Sequence, residues 1–156
     1  KLIPSLTKEL GAINALINNA SLFEPDDKDP DGTRHWAVNA EAPRILGKSF
    51  RDSLPKGERG IIINILDATP MPKNLSAYDK SKKFLSKMTL NMAKSFGPKI
   101  RVNGVAPMYV LPGPRQSEEN FKMMAKDKIV SPQRVAEAVR QLIETPAATG
   151  QIVTLG

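Results

Sequence analysis

The chain has 156 residues, 40% hydrophobic and 25% charged, the balance of one folded domain and not of a disordered segment. No apolar run approaches the ~20 residues that cross a bilayer, and the opening KLIPSLTKEL has too short an apolar core for a secretory leader. With no cysteine there is no disulfide framework and no thiolate metal site, which fits a reducing cytoplasm. The net charge of +7 is scattered along the chain, and two tyrosines and one tryptophan offer little for base stacking, so a solvated basic surface is expected in place of a nucleic-acid partner.

Short apolar runs alternate with longer helical patterns. INALINNA (Ile13–Ala20) reads as a buried strand with a polar end. Thr33 to Leu54 follows as a helix, with Trp36, Val38, Ala42, Ile45, Leu46 and Phe50 at helical spacing. GIIINIL (Gly60–Leu66) is the clearest strand of the chain, and Ser76 to Phe96 is a second helix with Phe84, Leu85, Met88, Met92 and Phe96 as its apolar positions. IRVNGVAP (Ile100–Pro107) is a third strand. A third helix starts at Ser131 as N-cap with Pro132 in the first turn, and QIVTLG (Gln151–Gly156) closes the chain as a strand. Near-continuous apolar strands point to burial on both faces and hence to a parallel sheet. Alternation with helices predicts an α/β fold with a doubly wound parallel sheet in three layers.

In such sheets ligands bind beyond the carboxyl ends of the strands. The first strand ends in Asn18–Asn19–Ala20–Ser21, either turn chemistry or a ligand contact. The second ends at Asp67, which reads as a site carboxylate or as an Asx-turn before TPMP. Tyr78 and Lys82 then stand four apart at the head of a helix, on one face. A lysine ammonium beside a phenol favours the phenolate and lowers its pKa, so the pair reads as a proton donor and the cation that tunes it. In isolation the same spacing is also an ordinary helix with a solvated charge. The loops EPDDKDPDG and PMYVLPGPRQS are long enough to be binding or lid segments. No metal site is expected: His35 is the single histidine, and EPDDKDPDG does not match a calcium loop.

Taken in order, LINNAS, AVNAEAP, YDKSK, IRVNGVAPMYV and TGQIVTLG resemble the motifs of the short-chain dehydrogenase/reductase family over nearly the whole chain. The resemblance implies a Rossmann-like fold and NADP(H) as cofactor, with NAD as the alternative. It implies Tyr78 as general acid, and Lys82 as the group that lowers its pKa and holds the nicotinamide ribose. Asn39 would hold a water of the proton relay. Asn19, Ala20, Pro107 and Val110 would lie along the cofactor, and the protein would form a dimer or tetramer. The family's usual serine before the tyrosine is absent, and Asp67 stands in its place, as in the pteridine reductase and dihydromonapterin reductase branch. A carboxylate suits the ring nitrogens and amino group of a pterin. With it, Phe23 becomes a candidate stacking surface and Arg115 a candidate contact to the substrate or to a phosphate.

Three departures qualify this reading. Ser21 replaces the glycine of the Asn-Asn-Ala-Gly motif and Met108 the glycine after the third strand's proline. Asp67 lies eleven residues before Tyr78, closer than the family's serine. The glycine-rich turn that holds a dinucleotide pyrophosphate is missing, so the fold is expected to lack its first βαβ units and to leave the edge of the first strand bare. The alternatives are a short-chain reductase of another carbonyl substrate, of ketoacyl or sugar-alcohol type, and a non-catalytic fragment that keeps only an assembly role.

Overall fold

The computed structural model describes residues 2–113 and 116–156. Four strands form one all-parallel sheet in the order β1-β2-β3-β4: β1 Ala15–Asn18, β2 Gly60–Ile65, β3 Ile100–Pro107 and β4 Ile152–Leu155. Every strand foreseen from the sequence is present, each somewhat shorter than its apolar run or equal to it. The register pairs Asn18 with Asn64, Asn64 with Gly104, and Pro107 with Leu155. The loops that leave β1, β2 and β3 therefore emerge side by side at one end of the sheet.

Alternation along β2 decides the layers. Ile62 faces a core built with Phe50, Leu85, Met88 and Met92, which lie on α3 (Ala42–Ser53) and α4 (Ser76–Phe96). Ile61 and Ile63 face the opposite side, against Ala138 and Leu142 of α6 (Pro132–Glu144). Each fully buried side chain of this size contributes about 1.5–3 kcal/mol. The α3 helix packs so closely on α4 that a Cβ at Gly47 would collide with Met92 Cε. Ser131 caps α6 by accepting from the Arg134 backbone N–H at 3.3 Å, as the Ser-Pro signal predicts. The result is the expected three-layer α/β/α sandwich.

Three features depart from the sequence reading. The helix expected over Thr33 to Leu54 is interrupted: α2 (Thr33–Trp36) passes through a π-turn at Ala37–Glu41 before α3 begins, and Asn39 is in that turn. Such turns place a side chain that a regular helix would aim elsewhere. Two further helices are present, α1 (Leu2–Leu10) and α5 (Glu118–Ala125). The α5 helix belongs to a closed excursion between β3 and α6, tied at its base by a hydrogen bond from Val130 N to Tyr109 O at 2.8 Å.

Candidate active site

The loops at the carboxyl ends of the strands surround a cleft of about 960 Å³. Tyr78 and Asp67 form its polar floor, and Phe23, Met71, Met108, Leu111 and Met124 supply much of an apolar wall. Asp67 and Tyr78 also line a smaller, more polar recess of about 300 Å³ shared with Lys82. The tyrosine and the carboxylate are thus a partition between the two spaces.

The eleven-residue spacing does bring the pair together: Tyr78 OH donates to Asp67 Oδ2 at 2.6 Å. The other carboxylate oxygen accepts from the Thr69 backbone N–H at 2.7 Å. One carboxylate oxygen thus closes the Asx-turn and the other meets the phenol. Lys82 Nζ donates to the carbonyl oxygen of Ile65 at 2.9 Å and lies over the Tyr78 ring, 5.8 Å from its centroid.

This geometry reverses the expected tuning of the phenol. Burial first, and then the negative Asp67, push the Tyr78 pKa well above its usual value. Lys82 is not what sets it, because its ammonium is directed at a backbone carbonyl. Lys82 itself is pushed down to about 8, chiefly by burial and against the pull of Asp67. The phenol therefore rests neutral, hydrogen-bonded to Asp67.

Asn39 also differs from expectation. Its Oδ1 accepts from Leu22 N at 2.7 Å and from Ser21 Oγ at 3.2 Å. Its Nδ2 donates to Leu22 O at 2.9 Å and to Ser81 Oγ at 3.0 Å. Two acceptor positions and two donors exhaust the amide. The side chain clamps the loop after β1 to α4, and Ser81 passes the contact on to the Tyr78 backbone O at 2.7 Å.

The acidic loop after β1 is a scaffold. Asp26 accepts from the Ser76 and Ala77 backbone N–H groups, both at 3.0 Å, and so caps the helix that carries Tyr78. Asp29 accepts from the Arg34 and His35 backbone N–H groups and meets the buried His35 ring at Nδ1, 2.6 Å away. Burial alone would raise the Asp29 carboxyl; the His35 and Arg34 donors outweigh it and hold it below its usual value. His35 Nε2 accepts from Glu24 N at 3.3 Å, which puts the ring proton on Nδ1. The Asp26 cap is not legible in the sequence, because Asp26 and Ser76 are 50 residues apart.

Of the other expected site residues, Phe23 meets Tyr78 edge to face at 4.8 Å and is 40% exposed to the cleft. Pro107 and Val110 line the cleft too. Asn19 and Ala20 are exposed just beyond the end of β1 and do not line it. Arg115 lies outside the described residues.

The profile of the short chain dehydrogenases matches residues 1–125. The chain belongs to the short-chain dehydrogenase family. FolM alternative dihydrofolate reductase 1 from Brucella canis, solved as a complex with NADP, superposes with a TM-score of 0.89 at 32% identity over 99% of this chain and 66% of that one. Tropinone reductase-like 3 from Erythroxylum coca is 28% identical over 70% of this chain and 44% of its own. The cyclic-di-GMP-binding biofilm dispersal mediator protein of Escherichia coli K12 is 27% identical over 96% of this chain and 69% of its own. The chain thus spans about two thirds or less of the length of these relatives. The family match agrees with the motif order, and the FolM superposition agrees with the branch in which Asp67 replaces serine.

Proposed function

We propose that this protein is an NADPH-dependent reductase of a pterin-like substrate. The observation that carries the reading is the Tyr78–Asp67 hydrogen bond of 2.6 Å at the floor of an apolar cleft. A pterin is flat and apolar on its faces, and its edge carries ring nitrogens and an amino group. Phe23 and the methionines suit the faces, and Asp67 can accept from the edge. Tyr78, held protonated, gives its proton to a ring nitrogen or to a carbonyl oxygen. The NADP-bound FolM structure supports the same branch.

The residues present fit the nicotinamide half of the cofactor. Lys82 Nζ spends one of its three donors on Ile65 O and has two for ribose hydroxyls, while Asn19 and Ala20 are open to contact at the end of β1. NADPH, when bound, supplies the hydride; Tyr78 supplies the proton, and Asp26 and Asn39 keep Tyr78 where the substrate meets it. We further propose a cytoplasmic protein that assembles as a dimer or tetramer. The tilted and partly exposed pair Trp36–Phe84, with ring centroids 4.5 Å apart, supports assembly through the outer faces of α2 and α4.

A substrate panel tests the pterin reading: NADPH consumption with dihydropterins, with dihydrofolate, and with ketoacyl and sugar-type carbonyls. Asp67→Ala is expected to cut turnover of the pterin about tenfold or more, the weight of one charged hydrogen bond, and to spare any slow ketone activity. Equal losses on all substrates would assign Asp67 to the phenol alone and favour the other carbonyl reductases. No turnover of any substrate would favour the assembly role.

A further inference from the structure

Tyr78 is the third residue of α4, in a first turn that has no cap of its own. Leu75 stands at the N-cap position and gives no side-chain hydrogen bond. The Ser76 and Ala77 backbone N–H groups go instead to the two oxygens of Asp26, in the loop after β1. That grip ties the turn to the loop. It does not fix how deeply the turn sits, because the Asp26 carboxylate is at the end of a rotatable side chain.

Depth is set by a second contact from the same loop. Gly32 lies against Ala77: a Cβ at Gly32 would stand 3.3 Å from Ala77 Cβ and 4.0 Å from Ala77 Cα. Ala77 has no side-chain torsion that could relieve the crowding, so only backbone can give way. The loop is firm on its own side. Gly32 N donates to Asp29 O, and Gly32 O accepts from Trp36 N, both at 2.9 Å. The Asp29 carboxylate is buried and held by Arg34 N, His35 N and the His35 ring. Beyond Tyr78, α4 is pinned again, by Ser81 to Asn39 at 3.0 Å and by Lys82 to Ile65 O at 2.9 Å. Tyr78 thus lies between two anchors, and the Gly32–Ala77 contact sets the level of the first.

We propose that Gly32 is a positioning residue for Tyr78. Because it carries no side chain, the first turn of α4 settles onto the loop after β1, at the depth that puts the phenol 2.6 Å from Asp67 Oδ2 on the floor of the cleft. A side chain at Gly32 lifts that turn by a few tenths of an ångström, and the phenol on the next residue moves with it. Gly32 is also at φ +71°, where any side chain strains the backbone, so the contact and the strain have to be separated. The effect on turnover rests on the reductase reading; the position of the phenol does not.

Variants of the full-length protein make that separation. Gly32→Ala introduces both the crowding and the strain. Ala77→Val crowds the contact from the helix side and leaves the backbone at Gly32 untouched. Gly32→Ala combined with Ala77→Gly keeps the strain and removes the crowding. In NADPH-dependent reduction of a dihydropterin, both single variants should lower kcat about three- to tenfold with KM little changed, since misplacement by about 1 Å costs about 10²-fold and the shift is a fraction of that. The double variant should return kcat to within about twofold of wild type, although the strain keeps its unfolding midpoint lowered. A fluorinated tyrosine in place of Tyr78 reads the same effect without turnover: its fluorine resonance should shift in both single variants and return in the double one. A kcat that stays low in the double variant overturns the proposal, as does a loss confined to KM or a resonance that does not shift. Wild-type protein that consumes no NADPH, while the resonance shifts and returns, would sink the reductase reading and leave the positioning role standing.

Discussion

The floor and the rim of the cleft are built on opposite plans. At and beneath the floor, Tyr78, Lys82 and Asn39 are 5%, 6% and 0% exposed, and no buried side-chain N or O among the described residues lacks a hydrogen-bond partner. At the rim, Phe23, Leu111 and Met124 are 40%, 68% and 43% exposed, and apolar side chains meet solvent. A buried polar group without a partner costs the full desolvation penalty, so a floor that carries chemistry must be satisfied and rigid. An apolar rim of methionines and loops can adapt to the face of a ligand at little cost. Proton delivery is thus separated from substrate fit, and substitutions in the two regions should fail in different ways.

The largest contrast is expected from Asn39→Ala. It orphans the Leu22 backbone N–H and C=O and removes one of the two hydrogen bonds of the Ser81 hydroxyl, and it should cost about 2–4 kcal/mol in urea unfolding, by loss of hydrogen bonds worth about 1 kcal/mol each from buried and half-buried partners. A loss under about 1 kcal/mol would mean that the π-turn, and not the amide clamp, holds the loop. Phe23→Ala should leave unfolding within about 1 kcal/mol of wild type, because the ring is partly exposed, and raise KM about tenfold through the lost stacking face. A fall in kcat at constant KM would instead place Phe23 with the floor, acting through its edge contact to Tyr78.

A smaller effect, with a defined sign, belongs to Lys82. Its folded pKa of about 8 is below the ordinary lysine value of 10.5. Between those values the unfolded chain binds the proton and the folded chain does not, so this group makes stability rise with pH across pH 8 to 10.5. The rise should be on the order of 1–3 kcal/mol. Lys82→Met should flatten it, read as the difference between the two unfolding free energies at pH 8 and at pH 10. A difference that stays constant would show that the ammonium is better solvated than its burial implies.

Much of the architecture was open to a reader of the sequence. Ile61 to Ile63 could be nothing but a buried strand, Ser131–Pro132 announced a helix start, and Tyr78 with Lys82 marked one helix face. The two helices beyond the sequence reading carry weaker signals: Leu2, Leu6 and Leu10 at four-residue spacing in α1, and Ser117 followed by Glu118 and Glu119 at the start of α5, where the serine accepts from Asn120 N. Other features had no local signal. The direction of the Tyr78 pKa depends on burial and on where the Lys82 ammonium ends up, which a four-residue spacing does not contain. The Asn39 clamp and the Asp26 cap join segments 17 and 50 residues apart, and only the folded chain shows that these polar groups are spent on each other. The reading of EPDDKDPDG as a binding or lid segment does not contain the helix-capping roles of Asp26 and Asp29.

The central claim, that the buried phenol at the floor is the proton donor of a pterin reductase, meets its most direct test in one comparison. NADPH-dependent reduction of a dihydropterin is measured for the full-length wild-type protein and for Tyr78→Phe, with circular dichroism to show that both are folded. The account predicts turnover in the wild type and a fall of about 10²–10⁴-fold in Tyr78→Phe, the usual weight of a positioned proton donor. Turnover that survives the loss of the hydroxyl would contradict it.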